Sequence, residues 1–328
     1  MESGVANLFA GLTKRRIDRR ELIRTLGFLG GAAFAAPLLP KATFATGVEN
    51  DKIFPMTTVN HLSLNGVNDY AKSRDWYVDL FGMRVVWDNG RMCALEMGPL
   101  KSPNGIYVVQ GKPGDKATIG HIAFGISDWW SKKNAMKAEM DRLGLKEIRP
   151  DGESGWTCNT PSGYMIQAVP EKDEAMYPGA ARPCESAQSD TCKAGWQEGL
   201  KNLADLPQPT ARSFNCVAFS PILLNTSDIA RDRDFFQGTW GMKVVSDDED
   251  GKNPECLLKF GYNTLCLRQG APAGNKPFCR AYCFLAENYN EAKAEAELRR
   301  RGLNPEMDLE LGWVVSDPDG LRVGVRGA

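Results

Sequence analysis

The sequence is short of histidine. Of 328 residues only two, His61 and His121, carry an imidazole. Chemistry that needs three imidazoles, such as a three-histidine zinc site, is therefore excluded. A Ser-His-Asp or Cys-His arrangement has to use one of these two. Net charge is lacking as well: 40 Lys and Arg stand against 41 Asp and Glu, so no global basic footprint marks a nucleic-acid partner. No Gly-rich stretch has the spacing of a P-loop or dinucleotide-binding turn. The apolar run at 26–40 has 15 residues, short of the roughly 20 that span a bilayer. What remains is ordinary globular composition, 42% hydrophobic and 25% charged, which argues against a disordered or fibrous chain. The length suggests two domains of roughly 100–150 residues.

The N-terminus reads as an address. Residues 14–24, KRRIDRRELIR, precede the apolar LGFLGGAAFAAPLLP of 26–40, the charged and apolar regions of a signal peptide. Arg19-Arg20 followed by Leu22-Ile23 resembles the twin-arginine export motif, and Thr43-Phe44-Ala45 offers a small-residue cleavage site. A signal peptide over 1–45 implies a periplasmic or secreted protein with no stable membrane span after export. The remainder carries 33 basic against 38 acidic residues. Twin-arginine passengers cross already folded, often with a cofactor inserted.

All nine cysteines follow residue 45. Cys184 and Cys192 lie close together in a Pro/Gly/Ser/Ala-rich segment and are expected to pair. The other seven sit mostly in apolar strand-like runs and read as buried thiols. No spacing forms a zinc pattern.

The chain after residue 45 is internally repeated. DYAKSRDWYVDLFGMRV (69–85) parallels DIARDRDFFQGTWGMKV (228–244) at an offset of 159, and TPSGYMI (160–166) parallels DPDGLRV (317–323). The repeat defines a first domain at 57–170, a linker at 171–213 and a second domain at 214–328. Each domain repeats internally too. In the first, VNHLSLNG reads as a strand, DYAKSRDWYVDLF as a helix stopped by Gly82, and MRVVW, RMCALEM and GIYVVQG as strands. GHIAFGI then begins a second unit, with a helix ending at Gly144 and strands at KEIRP, GWTCN and GYMIQAV. That is βαβββ twice, an α+β fold of tandem paired βαβββ units.

An N-H-L-S-L first strand, a helix ending in F-G-M and a closing P-S-G-Y-M-I-Q strand together resemble the vicinal oxygen chelate superfamily, over about 230 residues. Glyoxalase I, extradiol ring-cleaving dioxygenases, epimerases, fosfomycin-resistance enzymes and bleomycin-binding proteins belong to it. The resemblance implies half-barrels whose cup holds one divalent metal ion (Fe, Mn, Zn or Ni) and a small-molecule substrate with vicinal oxygens. The two domains then form an intramolecular pseudo-dimer. Family ligand positions carry over to His61, His121 and Gln167 in the first domain. Both histidines fall in the first strand of a repeated unit. A lone strand histidine is more often a core residue, but the equivalent placement favours ligation.

The third ligand is left open. The dioxygenase pattern is two histidines and a carboxylate, and Gln167 stands where the carboxylate belongs. Gln167 ligates weakly, or Glu96 supplies the carboxylate, or the cup binds an organic ligand without metal. Tyr107 is the candidate acid/base or substrate hydrogen-bond group, and Glu96 the candidate base for isomerase chemistry. No histidine remains for the second-sphere role extradiol dioxygenases usually use. At an offset of 159 the second domain carries Ser220 and Arg280, with Gly324 opposite Gln167; this set is not a metal site, because Arg does not ligate, and Arg280 is expected to pair with an acid. Trp129-Trp130 reads as packing at a helix start rather than a roof over the cup. Two function classes follow: a metal-dependent dioxygenase or glyoxalase-like lyase/isomerase, or a non-catalytic binding protein of the bleomycin-resistance type.

Overall fold

A computed structural model describes residues 56–98, 104–146, 155–171, 201–209, 213–248, 251–270 and 277–328. The export segment, the Cys184–Cys192 pair and most of the strand expected at 146–150 lie outside them. Among the described residues no helix is long and apolar enough to cross a membrane.

The first half runs β1 (Met56–Val67), α1 (Tyr70–Phe81), β2 (Arg84–Asp88), β3 (Met92–Glu96), β4 (Gly105–Gln110), β5 (Thr118–Ile126), α2 (Trp129–Arg142), β6 (Trp156–Asn159) and β7 (Met165–Pro170). Its seven strands form one mixed sheet in the order β2-β3-β4-β1-β5-β7-β6. The second half runs β8 (Asn215–Thr226), α3 (Ile229–Gly238), β9 (Lys243–Asp248), β10 (Glu255–Phe260), β11 (Asn263–Gln269), β12 (Phe278–Glu287), α4 (Glu291–Arg300), β13 (Glu306–Asp308), β14 (Gly312–Ser316) and β15 (Arg322–Gly327). These strands form a second sheet, β13-β14-β15-β12-β8-β11-β10-β9. This is the expected α+β fold of paired βαβββ units.

Helix ends follow local chemistry. The Asp69 carboxylate accepts the backbone N–H of Ala71 and Lys72, both at 3.1 Å, and Asp228 accepts that of Arg231 at 3.0 Å. Each such cap contributes about 1 kcal/mol. Gly82 ends α1 at φ 65°, a left-handed position that glycine adopts without strain. Trp129 is buried at the start of α2 against Trp156 (centroids 5.3 Å), while Trp130 is exposed, in line with helix-start packing.

Strand alternation sends one face of each sheet to a shared core. Leu62, Leu64, Ile122 and Phe124 from the first half join Phe236, Phe260, Tyr282 and Phe284 from the second in one apolar cluster. Phe81 lies against Phe284 at 4.4 Å between centroids, and Phe124 against Phe260 at 5.4 Å. The polar ties across this junction keep the repeat symmetry while exchanging partners. Ser73 on α1 donates to Asp319 at 2.5 Å. In the other copy the acid is on the helix: Asp232 accepts the Ser162 N–H at 3.1 Å and the Thr226 hydroxyl at 2.5 Å.

At the centre of the junction Tyr77 donates to Asp317 at 2.7 Å and meets the Tyr282 hydroxyl at 2.6 Å. Burial pushes the Asp317 carboxyl from 3.8 up to about 6, although Tyr77 and the Leu321 and Asp319 N–H groups favour its charged form. A raised carboxyl binds its proton more tightly folded than unfolded, so stability is lost as pH rises from about 4 to about 6. Asp317→Asn is expected to remove that loss. The difference in urea stability between the wild type and Asp317→Asn should shift by on the order of 2 kcal/mol between pH 4 and pH 7.

Asp88, fully buried at the end of β2, accepts Arg74 Nη1 at 2.5 Å, the Gly90 N–H at 2.8 Å and the Tyr70 hydroxyl at 3.2 Å. Lys201 reaches the same network, its Nζ donating to Tyr70 at 2.8 Å and its backbone N–H to the Asp88 carbonyl at 2.8 Å. The linker is thereby held to the first sheet at Lys201.

The seven cysteines within the described residues are buried thiols, none of them in a disulfide among the described residues, as read from the sequence.

Candidate metal centre

The face of the first sheet opposite the core carries the candidate groups. Strand register sets one row across it: Arg84 pairs with Glu96, Glu96 with Gly105, Gly105 with His61, His61 with Ala123, Ala123 with Gln167 and Gln167 with Thr157. One step along the strands, Trp87, Ala94, Tyr107, Ser63 and His121 make the adjacent row on the same face. The small residues Gly105 and Ala123 flank His61. Trp87, Ala94 and Tyr107 form an apolar cluster beside it.

Two bulges aim the histidines. On β1, Val59 pairs with Phe124 and His61 with Ala123, leaving Asn60 as the extra residue. On β5, Ile119 pairs with Leu64 and His121 with Ser63, leaving Gly120 as the extra residue. A bulge inverts side-chain parity. Val59 therefore points to the core while His61, two residues on, points to the cup. A Cβ on Gly120 would stand 2.1 Å from Asn65 Nδ2, so this bulge favours glycine.

The two imidazoles converge, with Nε2 of His61 and Nε2 of His121 only 3.0 Å apart. His61 Nδ1 lies 2.9 Å from Asn60 Oδ1. An amide oxygen only accepts, so Nδ1 carries the proton, and in the neutral ring Nε2 then presents its lone pair. Tyr107 packs edge-on against His61, centroids 4.4 Å apart. His61, His121, Tyr107 and Gln167 are all buried. These four share one face of the sheet.

Glu96 does not join them through register. It lies two strands from His61, roughly 10 Å at sheet spacing, and forms an ion pair with Arg84 Nη2 at 3.3 Å. Sequence reasoning passed over Asn60, Thr157 and Trp87. The available signal was the position before each histidine, Asn60 and Gly120, where one extra residue changes which face the next side chain takes.

The second sheet corrects the repeat-equivalent positions. Its register aligns Phe284 with Phe219, Tyr282 with Ile222, Ala281 with Leu223 and Cys279 with Leu224, each pair offset by 160 from its counterpart in the first half. The counterparts of His61 and His121 are therefore Pro221 and Ala281, not Ser220 and Arg280. The latter two stand at the bulges, and Arg280 is exposed. Gly324 does correspond to Gln167, since it pairs with Cys283 as Gln167 pairs with Ala123. An offset of 159 is right for α1 and α3 and for Tyr107 and Cys266, because β1 carries one extra residue, Gly66, at a bulge that β8 lacks.

The second cup is also filled. Leu223, Cys266, Ala281, Cys283, Leu311 and Val314 make a closed apolar cluster. Leu311 sits so close that a Cβ on Gly324 would stand 2.5 Å from its carbonyl oxygen. Glu255, Cys266 and Glu310 gather at ligand spacing, but Arg268 already supplies the cation, 2.6 Å from Glu310 and 3.3 Å from Glu255. Burial, then Glu310, pushes the Cys266 thiol up to about 12, so it stays protonated.

Residues 58–168 match the model of the Glyoxalase/Bleomycin resistance protein/Dioxygenase superfamily. The matched residues run from β1 into β7. No curated protein matches the chain by sequence. Among solved structures, an extradiol ring-cleaving dioxygenase from B. fuscum superposes with a TM-score of 0.59 at 16% identity, over 82% of this chain and 71% of that one. A single-residue variant of homoprotocatechuate 2,3-dioxygenase from B. fuscum, in complex with HPCA, gives 0.58 at 18% identity over the same shares. The Mn(II)-bound glyoxalase from Novosphingobium aromaticivorans gives 0.58 at 14% identity, over 82% of this chain and 81% of that one. At these identities the likeness is one of fold, and it covers 82% of this chain.

Proposed function

We propose that the first cup is a divalent-metal centre serving a dioxygenase-type or glyoxalase-type reaction on a small molecule with two adjacent oxygen atoms. The observation that carries this reading is the 3.0 Å approach of the two Nε2 atoms. Two nitrogens each bonded at about 2.1 Å to one ion lie about 3.0 Å apart when they subtend a right angle. The donor set fits as well: neutral imidazoles suit Fe, Zn, Ni and Mn to differing degrees, and Gln167 adds an amide oxygen on the neighbouring strand. His61, His121 and Gln167 would hold the ion. When bound, it would act as a Lewis acid toward the chelating oxygens.

The protein's own groups supply the rest. Tyr107, against the His61 ring, would hydrogen-bond a substrate oxygen or pass it a proton. Trp87 and Ala94 give an apolar wall on the same side. Glu96, paired with Arg84, is badly placed to act as a base, which weighs against enolate chemistry and towards the dioxygenase type. The second half, with Pro221, Ala281 and Gly324 in place of ligands, serves as the structural partner in an intramolecular pseudo-dimer. The binding-protein reading keeps one favouring observation, the neutral Gln167 at the carboxylate position. The Arg19-Arg20 motif and the apolar run after it support delivery to the periplasm or the medium.

Elemental mass spectrometry of the full chain purified without chelators should find about one Fe, Mn, Zn or Ni per chain. Oxygen consumption with vicinal diols, against isomerisation of 2-oxoaldehyde adducts, then separates the two reaction types. A chain without metal even after reconstitution leaves the binding protein as the answer. Gln167→Glu completes the two-histidine-one-carboxylate set and should tighten metal binding by on the order of tenfold. That requires only about 1.4 kcal/mol of the added Coulomb attraction to survive screening. Isothermal titration of stripped protein with Mn(II) reads this directly.

A further inference from the structure

Resting on the metal reading above, we propose that Asn60 is a positioning residue for the metal centre: as the bulge residue of β1 it both aims His61 and holds its ring tautomer. Three observations converge on it. Asn60 is the extra residue between the Val59–Phe124 and His61–Ala123 pairs. Its Oδ1 stands 2.9 Å from His61 Nδ1. It is buried, so water does not compete for that hydrogen bond.

Neighbouring side chains on a regular strand point to opposite faces and do not meet. The bulge removes that restriction and brings the Asn60 amide to the ring that follows it. The consequence is chemical. With Nδ1–H donating to Oδ1, His61 Nε2 keeps its lone pair on the side where His121 Nε2 lies 3.0 Å away. If the amide presented Nδ2 instead, Nδ1 would accept and the proton would move to Nε2, closing that ligand position. The orientation of one amide thus decides whether His61 can ligate.

The chain carries its own comparison. At the matching bulge the second half has Ser220, followed by Pro221 in place of the histidine. Where no imidazole needs holding, the amide is absent too. The fold therefore accepts a small polar residue at this bulge, and Asn60 is not demanded by backbone geometry alone.

The test uses the full chain stripped of metal and titrated with Co(II), followed by its d–d absorption. Asn60→Ala should weaken Co(II) binding by about 10–100-fold, the usual effect of losing a group that orients a histidine ligand, with an altered spectrum. Asn60→Asp, which can only accept, should bind as tightly as wild type or tighter, with the wild-type spectrum. Melting of the metal-free forms should change little. Should Asn60→Ala fail to fold, Asn60→Ser, copying the second half, takes its place with the same expectation. Folded Asn60→Ala or Asn60→Ser with wild-type Co(II) affinity overturns the assignment. So does an Asn60→Asp protein that loses binding and melting temperature together, since that is a structural effect alone. A wild-type chain that binds no Co(II) fails the metal reading itself, whatever the Asn60 variants do.

Discussion

The double substitution His61→Ala/His121→Ala is expected to take the metal content of the chain from about one ion to none while the fold persists. The two rings face the cup, on the side of the sheet opposite the apolar core. Their loss therefore removes ligands without opening the core against which both halves pack. Either single substitution leaves one imidazole and the Gln167 amide, too few strong donors for a stable site, so each should already remove most of the metal. Elemental analysis gives the content, and circular dichroism with thermal melting gives the fold. Retention of one tightly bound ion by the double variant would move the centre elsewhere. The Glu255, Cys266 and Glu310 group would be the place to look, although Arg268 occupies it.

A second large effect concerns stability. Asp88→Ala should destabilise the protein by about 3–5 kcal/mol, the range for removing one partner of a buried ion pair. The substitution leaves the Arg74 guanidinium with the half-exposed Asp75 as its acid, 2.8 Å from Nε, and releases the Tyr70 hydroxyl and the Gly90 N–H, both of which Asp88 now accepts along with Arg74 Nη1. It also loosens the anchor at Lys201, whose Nζ lies 3.6 Å from the same carboxylate. Urea unfolding should show the midpoint falling with little change in slope. Cleavage by trypsin after Lys201 should become faster in native buffer. Asp88→Asn keeps the acceptor oxygen and should lose about half as much. A change below 1 kcal/mol in Asp88→Ala would show that the network contributes specificity of fold rather than stability.

The sequence by itself determined the repeat, and through it the fold. Alternating strands such as VNHLSLNG, the helical spacing of DYAKSRDWYVDLF and the stop at Gly82 are local matters. They depend on backbone preference and side-chain period, and these elements formed where the pattern put them. It also nominated His61 and His121, because a chain with two histidines offers few alternatives and both lie in equivalent strands; Gln167 and Tyr107 followed from the resemblance to the vicinal oxygen chelate superfamily. Tertiary structure decided what alignment could not. Counting at a constant offset of 159 put Ser220 and Arg280 opposite the two histidines. Pairing of β8 with β12 shows the offset is 160 there, so those residues stand on bulges while Pro221 and Ala281 face the cup. A single inserted residue is nearly invisible in a string of letters, yet in a sheet it reverses the face of every side chain beyond it. The partner of Glu96 was hidden for a similar reason. Arg84 lies 12 residues earlier in the chain and becomes its neighbour only when β2 and β3 pair. The closure of the second cup by Leu311 likewise needed the fold, since nothing local to Gly324 announces which backbone will press against it.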